Sequence, residues 1–312
     1  MKKIQVLLAT YNGESFLKEQ IDSVLSNFDK FASFDCCLLI SDDASTDETV
    51  SIICDCQLKD ERVIFLDGNR KGGVKENFNY LIQSADADYI FFCDQDDVWL
   101  DNKIDLFIKK FESYGDRPLL IHSDLHVVDQ QLKTMSQSMF DTQKIFKNPT
   151  LGQLLVSNSV TGCVMAINKA LLSKVKNKNF SVVVMHDWYI ALVAKCFGEI
   201  IFLDSSTILY RQHGGNQVGS IERSFRDYFS FTKIVRFVKK SKKSIEDSKE
   251  QAMHFIGEFG TELNNEDRKF IVQYVGSFSR WGGISRAKLF FTAKVAKKGG
   301  VRNLIFFFLY VF

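Results

Sequence analysis

Residues 89–99 read Tyr89-Ile-Phe-Phe-Cys-Asp-Gln-Asp-Asp-Val-Trp99, an apolar run that stops at three carboxylates, Asp94, Asp96 and Asp97. A continuous apolar run of this length fits a strand buried on both faces of a parallel sheet, where no polar alternation is needed. The carboxylates then stand where that strand ends. In open α/β sheets, ligands bind in the crevice outside the carboxyl ends of the strands. Three carboxylates this close repel one another unless donors or a cation compensate, and hard divalent cations take oxygen ligands. The competing reading is a solvated acidic turn capping a helix that starts near Trp99.

The same pattern recurs three times upstream. Residues 4–9 are apolar and end at Thr10-Tyr-Asn-Gly13. A helix over residues 14–28 follows, with Phe16, Leu17, Ile21, Val24 and Leu25 on one face. The run 36–40 ends at Ser41-Asp-Asp-Ala-Ser-Thr-Asp47, before a helix over 47–58 with Thr46 or Asp47 as its N-cap. The run 63–66 ends at Asp67-Gly-Asn-Arg-Lys-Gly-Gly73, before a helix over 75–85. This β-α-β-α-β-α-β order predicts an α/β fold with a doubly wound, mostly parallel sheet. Beyond Trp99 the pattern predicts a helix through Phe111, a strand over 119–122 and a polar surface excursion over 130–148. A helix over 151–156, a strand over 160–167 and helices over 169–174 and 187–197 come next. Two short strands, 199–203 and 207–210, lead to Arg211-Gln-His-Gly-Gly-Asn-Gln217.

Net charge divides the chain. Residues 1–210 carry 21 Lys+Arg against 29 Asp+Glu (−8), whereas residues 211–312 carry 19 against 9 (+10). An acidic, cation-using front and a basic, all-helical remainder facing something anionic follow from that split. A boundary near residue 220 separates an α/β front (1–220, with halves 1–100 and 101–220) from a basic helical region (221–312). The seven cysteines lie mostly in apolar runs without paired CxxC spacing, which fits reduced, buried thiols in a cytoplasmic protein. No run reaches the roughly 20 apolar residues that span a bilayer. Nucleic acid is a poor partner for an acidic front half, and the basic run lacks interleaved stacking aromatics.

The strand ends supply a coherent chemistry. Thr10, Tyr11 and Asn12 offer hydroxyls and an amide, with Glu14 beside them. Asp42 and Asp43 offer carboxylate acceptors for a pyrimidine N–H or ribose hydroxyls, or else they cap the following helix. Gly72, Gly73 and Asn77 lie at a helix mouth where backbone N–H groups receive phosphate. Neither GxxxxGK[ST] nor a GxGxxG turn after the first strand occurs. A nucleotide diphosphate held by Mg²⁺ or Mn²⁺ fits the set.

Ala9-Thr-Tyr-Asn-Gly13, Ser41-Asp-Asp-Ala-Ser-Thr-Asp47, Cys93-Asp-Gln-Asp-Asp-Val-Trp99 and His186-Asp-Trp188 together resemble family 2 glycosyltransferases of the GT-A fold, over roughly residues 3–220. With Tyr210-Arg-Gln-His213, the pattern is similar to bacterial rhamnosyltransferases of cell-wall and capsular polysaccharide synthesis. The resemblance implies that Thr10, Asn12 and Asp42 contact the nucleoside. It implies that Asp94, Gln95 and Asp96 form the DxD motif, with Asp96 the metal ligand and Asp97 orienting sugar or acceptor. Asp187 would be the general base of an inverting transfer, and His213 a third metal ligand beside Asp94 and Asp96. Glu-Asp often stands where this chain has His186-Asp187. On the residues alone, Asp187 reads equally as a helix cap, His213 as structural, and Arg211 as pairing with a phosphate or with any carboxylate. Gly214-Gly215 reads as a turn or as a loop closing over the donor.

The implied partners are a nucleotide-diphospho-sugar donor, such as dTDP-rhamnose, and a lipid-linked saccharide acceptor at the cytoplasmic face of the plasma membrane. Ile221, Phe225, Tyr228, Phe229, Thr232 and Val235 share one helical face, followed by Lys239-Lys-Ser-Lys-Lys243. Either this region packs over the catalytic domain or it makes peripheral contact with an anionic membrane, with Phe225, Phe229, Phe306, Phe307 and Phe308 at the interface.

Overall fold

The computed structural model describes residues 1–213, 231–279 and 282–312. The parallel half of the sheet forms as the apolar runs require. It comprises β1 (Lys3–Thr10), β2 (Asp35–Asp42), β3 (Val63–Asp67) and β4 (Tyr89–Cys93), joined by α1 (Leu17–Phe28), α2 (Thr49–Lys59) and α3 (Val74–Ser84). Along β1, Val6 and Leu8 face one core while Leu7 faces the other; along β4, Phe91 and Phe92 divide in the same way. Both faces of these strands are buried, which explains why their sequences do not alternate.

The second half of the chain is mixed. It runs β5 (Val98–Trp99), α4 (Lys103–Glu112), β6 (Leu119–Val128), β7 (Thr134–Ser136), α5 (Met139–Gln143) and α6 (Leu151–Val156). A 3₁₀ turn at Gly162–Val164, β8 (Met165–Asn168), α7 (Lys169–Val175), α8 (His186–Phe197) and β9 (Glu199–Arg211) complete it. The sheet order is β3-β2-β1-β4-β8-β6-β9-β5, with β7 off β6. β8 runs antiparallel to both β4 and β6, while β6 and β9 are parallel. Helices α1, α2 and α4 cover one face; α3, α6, α7 and α8 cover the other. Helices α9 (Phe231–Phe259), α10 (Asn265–Gly276), α11 (Gly283–Thr292) and α12 (Gly300–Val311) extend that second layer through Phe255, Phe259, Tyr274 and Phe306.

Several expectations are corrected. Val98 and Trp99 pair with Leu209 and Ile208 as a strand, and the helix begins only at Lys103. The predicted strands 199–203 and 207–210 are one strand whose pairing with β6 shifts register near Ser123–His126. The excursion at 130–148 contains α5, whose Met139 and Phe140 are buried. Helix α2 starts after Glu48, so neither Thr46 nor Asp47 is its N-cap, although the Asp47 carboxylate accepts the Thr49 N–H at 3.1 Å. Of the aromatics assigned to a membrane interface, Phe306 is buried and Phe308 is exposed. The 220/221 boundary, Gly214-Gly215, Ile221, Phe225, Tyr228 and Phe229 lie outside the described residues.

Candidate active site

The loops at the strand ends are tied to one another before any ligand is considered. Asp42, fully buried, accepts hydrogen bonds from Thr10 Oγ1 (2.8 Å), the Ser45 N–H (2.7 Å) and Ser45 Oγ (2.5 Å). Asn12 adopts a left-handed backbone (φ 46°), gives its N–H to Ser45 Oγ and accepts the Thr46 N–H. Glu14 accepts the Glu48 N–H at 3.0 Å. These residues brace the two loops, and Tyr11, 55% exposed, projects from them beside the exposed Asn12 and Glu14. Gln95 clasps Tyr11 through both its N–H (2.8 Å) and its carbonyl (3.0 Å). Gly13 permits this, because a Cβ there would lie 2.5 Å from Gln95 Oε1.

Asp43 holds the 71–73 turn by accepting the N–H groups of Lys71, Gly72 (2.9 Å) and Gly73 (2.7 Å). Burial raises the Asp43 carboxyl, but the donors from Gly72, Lys71 and Gly73 outweigh it, and the group ends below the usual range. The Gly73 N–H is therefore committed to Asp43 rather than offered to a phosphate. Asn77 is a tie as well, donating to Ser41 O (2.9 Å) and Thr10 O (3.4 Å). These bonds fix the crevice wall.

The acidic turn 94–97 leads from the central strand β4 to β5. Asp94, Asp97 and Cys163 bring their ligating atoms within 4.8 Å of one another. Burial, then the charges of Asp96 and Asp187, push Asp94 up to about 7. Burial and the charges of Asp96 and Asp94 push Asp97 well above the carboxylate range. Asp96 Oδ2 lies 2.7 Å from His213 Nε2, and the His213 ring packs on Phe16. Carboxylates crowded enough to resist ionisation, with an imidazole in reach, fit a divalent cation, which would relieve the repulsion. Asp94, Asp96 and His213 would hold it. Lys103, absent from the sequence-based set, is fully buried beside them and donates to Cys163 O at 2.6 Å. Burial pulls it down to about 8, opposed by the nearby thiols and by Asp97 and Asp94.

Arg211 pairs with a carboxylate and with backbone carbonyls, the second of its two sequence readings. It is 2% exposed, and its guanidinium donates to Asp96 O (3.0 Å), Gln130 O (2.5 Å) and Glu19 (2.5 Å). Its backbone N–H donates to Asp97 Oδ1 at 3.1 Å. Arg211 is thus the clamp on the acidic turn. Arg211→Met should lower unfolding stability by about 1–3 kcal/mol, since buried acceptors lose their donors. The half-exposed Glu19 keeps the effect below that of a fully buried pair. A urea midpoint unchanged from wild type, with donor binding lost, would restore the phosphate role.

Asp187 lies in the first turn of α8, whose N-cap is Met185, so the simple capping alternative does not hold. Burial pushes Asp187 up to about 7, against the Trp188 and Gly162 N–H groups and the Asn158 side chain. His186 is stacked on Phe78 at 4.0 Å and pulled down to about 3 by burial, so it stays neutral. The Asp187 charge is among the causes that raise Asp94, so the helix-side carboxylate lies within electrostatic reach of the acidic turn.

A sheet whose parallel half ends in a carboxylate turn, with the half-buried Asp187 supplied by the mixed half, has the GT-A glycosyltransferase fold. The chain belongs to glycosyl transferase family 2, whose family model matches residues 5–187. It is 32% identical over 248 residues to the dTDP-rhamnosyl transferase RfbG of Shigella flexneri, covering 73% of this chain and 79% of that protein. It is 31% identical over 111 residues to the GalNAc(5)-diNAcBac-PP-undecaprenol beta-1,3-glucosyltransferase of Campylobacter jejuni, covering 35% of each. Among solved structures, S. aureus TarS 1-349 in complex with UDP-GlcNAc superposes with a TM-score of 0.56 at 19% identity, over 90% of this chain and 75% of that one.

Proposed function

We propose that this enzyme is an inverting, metal-dependent transferase that moves rhamnose from dTDP-rhamnose to a lipid-linked saccharide in the assembly of a cell-surface polysaccharide. The observation that carries the reading is Asp187 in the first turn of α8, within electrostatic reach of Asp94 in the acidic turn and pushed by burial up to about 7. A carboxylate with that pKa is matched to taking a proton near neutral pH. Asp187 accepts the acceptor hydroxyl's proton as the new bond to the sugar's anomeric carbon forms and the bond to the diphosphate breaks. A divalent cation, when bound, stabilises the charge on the leaving diphosphate. Asp97, Arg211 and Gln95 keep the turn in register for that displacement. The likeness to a dTDP-rhamnosyl transferase supports the donor, and the likeness to an undecaprenol-linked glucosyltransferase supports the acceptor class.

A catalytic domain over 1–220 and a basic helical region over 221–312 that meets the inner face of the plasma membrane complete the proposal. No helix among the described residues is long and apolar enough to cross a membrane. A panel of dTDP-, UDP- and GDP-sugars tests the reading by nucleotide release, with products analysed by mass and linkage. Release and product with dTDP-rhamnose alone are expected. Turnover confined to a UDP-hexose would replace the donor, and nucleotide binding without product would make the protein a non-catalytic scaffold.

A further inference from the structure

We propose that the α11–α12 hairpin is the surface that seats this protein on an anionic lipid bilayer, a reading that rests on the lipid-linked acceptor proposed above. The hairpin is apolar on two sides. Its inner side buries Leu289, Phe306 and Tyr310 in the core. Its outer side presents Ile284 and Phe291 on α11, seven residues apart, and Leu304 and Phe308 on α12, four apart. These four are between 54% and 87% exposed. The spacings put each pair on one face of its helix. Phe307 joins the two helices, with ring centroids 5.6 Å from both Phe291 and Phe308. Isolated exposed apolar side chains are ordinary, but a contiguous patch marks an interaction surface.

Charge selects the partner. Residues 268–312 contain nine Lys+Arg and no Asp or Glu, in a chain whose totals are 40 and 38. Lys288 and Lys294 are exposed beside the aromatic patch. The basic run on α9 is a weaker candidate, because Glu246 and Asp247 follow Lys243 within one turn and offset it. An apolar face flanked by the exposed Lys288 and Lys294, on helices that carry no carboxylate, complements anionic headgroups over acyl chains. The pattern of the described hairpin, apolar side chains outward with lysines beside them, is that of a segment lying in the interface.

Position connects this surface to the chemistry. The turn after α11 packs on α6, where a Cβ on Gly152 would fall 2.2 Å from Ala293 O. Helix α6 begins with a Thr150–Gln153 capping box and leads to Asn158, whose side chain opposes the upward shift of Asp187. One helix thus separates the lipid-facing hairpin from the base that receives the acceptor's proton.

The test sediments the full chain with phosphatidylcholine vesicles, with and without phosphatidylglycerol. Binding to the anionic vesicles alone, weakened by salt, is expected. Phe291→Ser/Phe308→Ser should lower vesicle partition at least about tenfold, with turnover on a water-soluble acceptor unchanged. Lys288→Glu/Lys294→Glu should lower it by about fivefold or more per charge. Wild-type partition in both variants overturns the proposal. So does a wild-type dimer in sedimentation velocity that the Phe291→Ser/Phe308→Ser variant converts to monomer, which would assign the face to a second copy. Anionic-vesicle binding lost in both variants, in a protein that turns over no sugar nucleotide, would sink the transferase reading and leave this surface standing.

Discussion

Asp187→Asn is expected to lower kcat by about 10²–10⁴-fold, the range for removing a general base, with donor affinity nearly unchanged. Asparagine is the informative replacement. The Asp187 carboxylate accepts the Trp188 N–H at 2.6 Å in the first turn of α8, and an amide oxygen keeps that bond and the side chain's volume. Alanine removes both, so Asp187→Ala should abolish turnover and also lower stability. The pH profile supplies a second readout. Burial holds Asp187 at about 7, and a base works only when ionised. Activity should therefore be low below that value, rise as pH passes through it and level off above. Asp94, raised in part by the Asp187 charge, sits at about 7 as well, so the rising limb reports both carboxylates and not one residue. Asp187→Asn should flatten the limb in whatever residual rate survives. Near-normal turnover in Asp187→Asn would move the base elsewhere.

The first four strands and three helices were legible because each strand is a continuous apolar run broken by small polar residues, and burial on both faces imposes that pattern locally. β5 was not legible: two residues make a strand only because β9, more than a hundred residues later, pairs with them. The single β9 read as two strands because exposed Asp204 and Ser205 interrupt its apolar pattern while its pairing with β6 resumes beyond them. In the site, residue types were legible and duties were not. Asp42 and Asp43 were recognised as acceptors, but their partners are loop N–H and hydroxyl groups set by the fold. Arg211 reaches Glu19 across a separation of 192 residues. Lys103 falls at an ordinary helix start, and nothing near it in sequence announces that its ammonium is buried beside the acidic turn.

Asp96→Ala should abolish the metal dependence of nucleotide binding and lower turnover by about 10³-fold, the several kcal/mol that a Lewis-acid cation contributes to a charged leaving group. The turn should survive the change. Its backbone is held independently, by Arg211 on Asp96 O and by Gln95 on Tyr11. The side chain's contact is with His213 at 2.7 Å, on a half-buried edge. Calorimetry with the nucleotide donor, with and without Mn²⁺, separates the two candidate seats for the ion. If Asp96 and His213 hold it, wild type binds donor more tightly with Mn²⁺ and Asp96→Ala binds equally with and without. If the ion instead sits among Asp94, Asp97 and Cys163, which already converge within 4.8 Å, Asp96→Ala keeps the Mn²⁺ effect and Cys163→Ala weakens it. The first outcome is expected because Mg²⁺ and Mn²⁺ favour oxygen ligands over thiols. The ammonium of Lys103, hydrogen-bonded to Cys163 O, also already places a positive charge beneath the deeper cluster, where a second cation would be repelled.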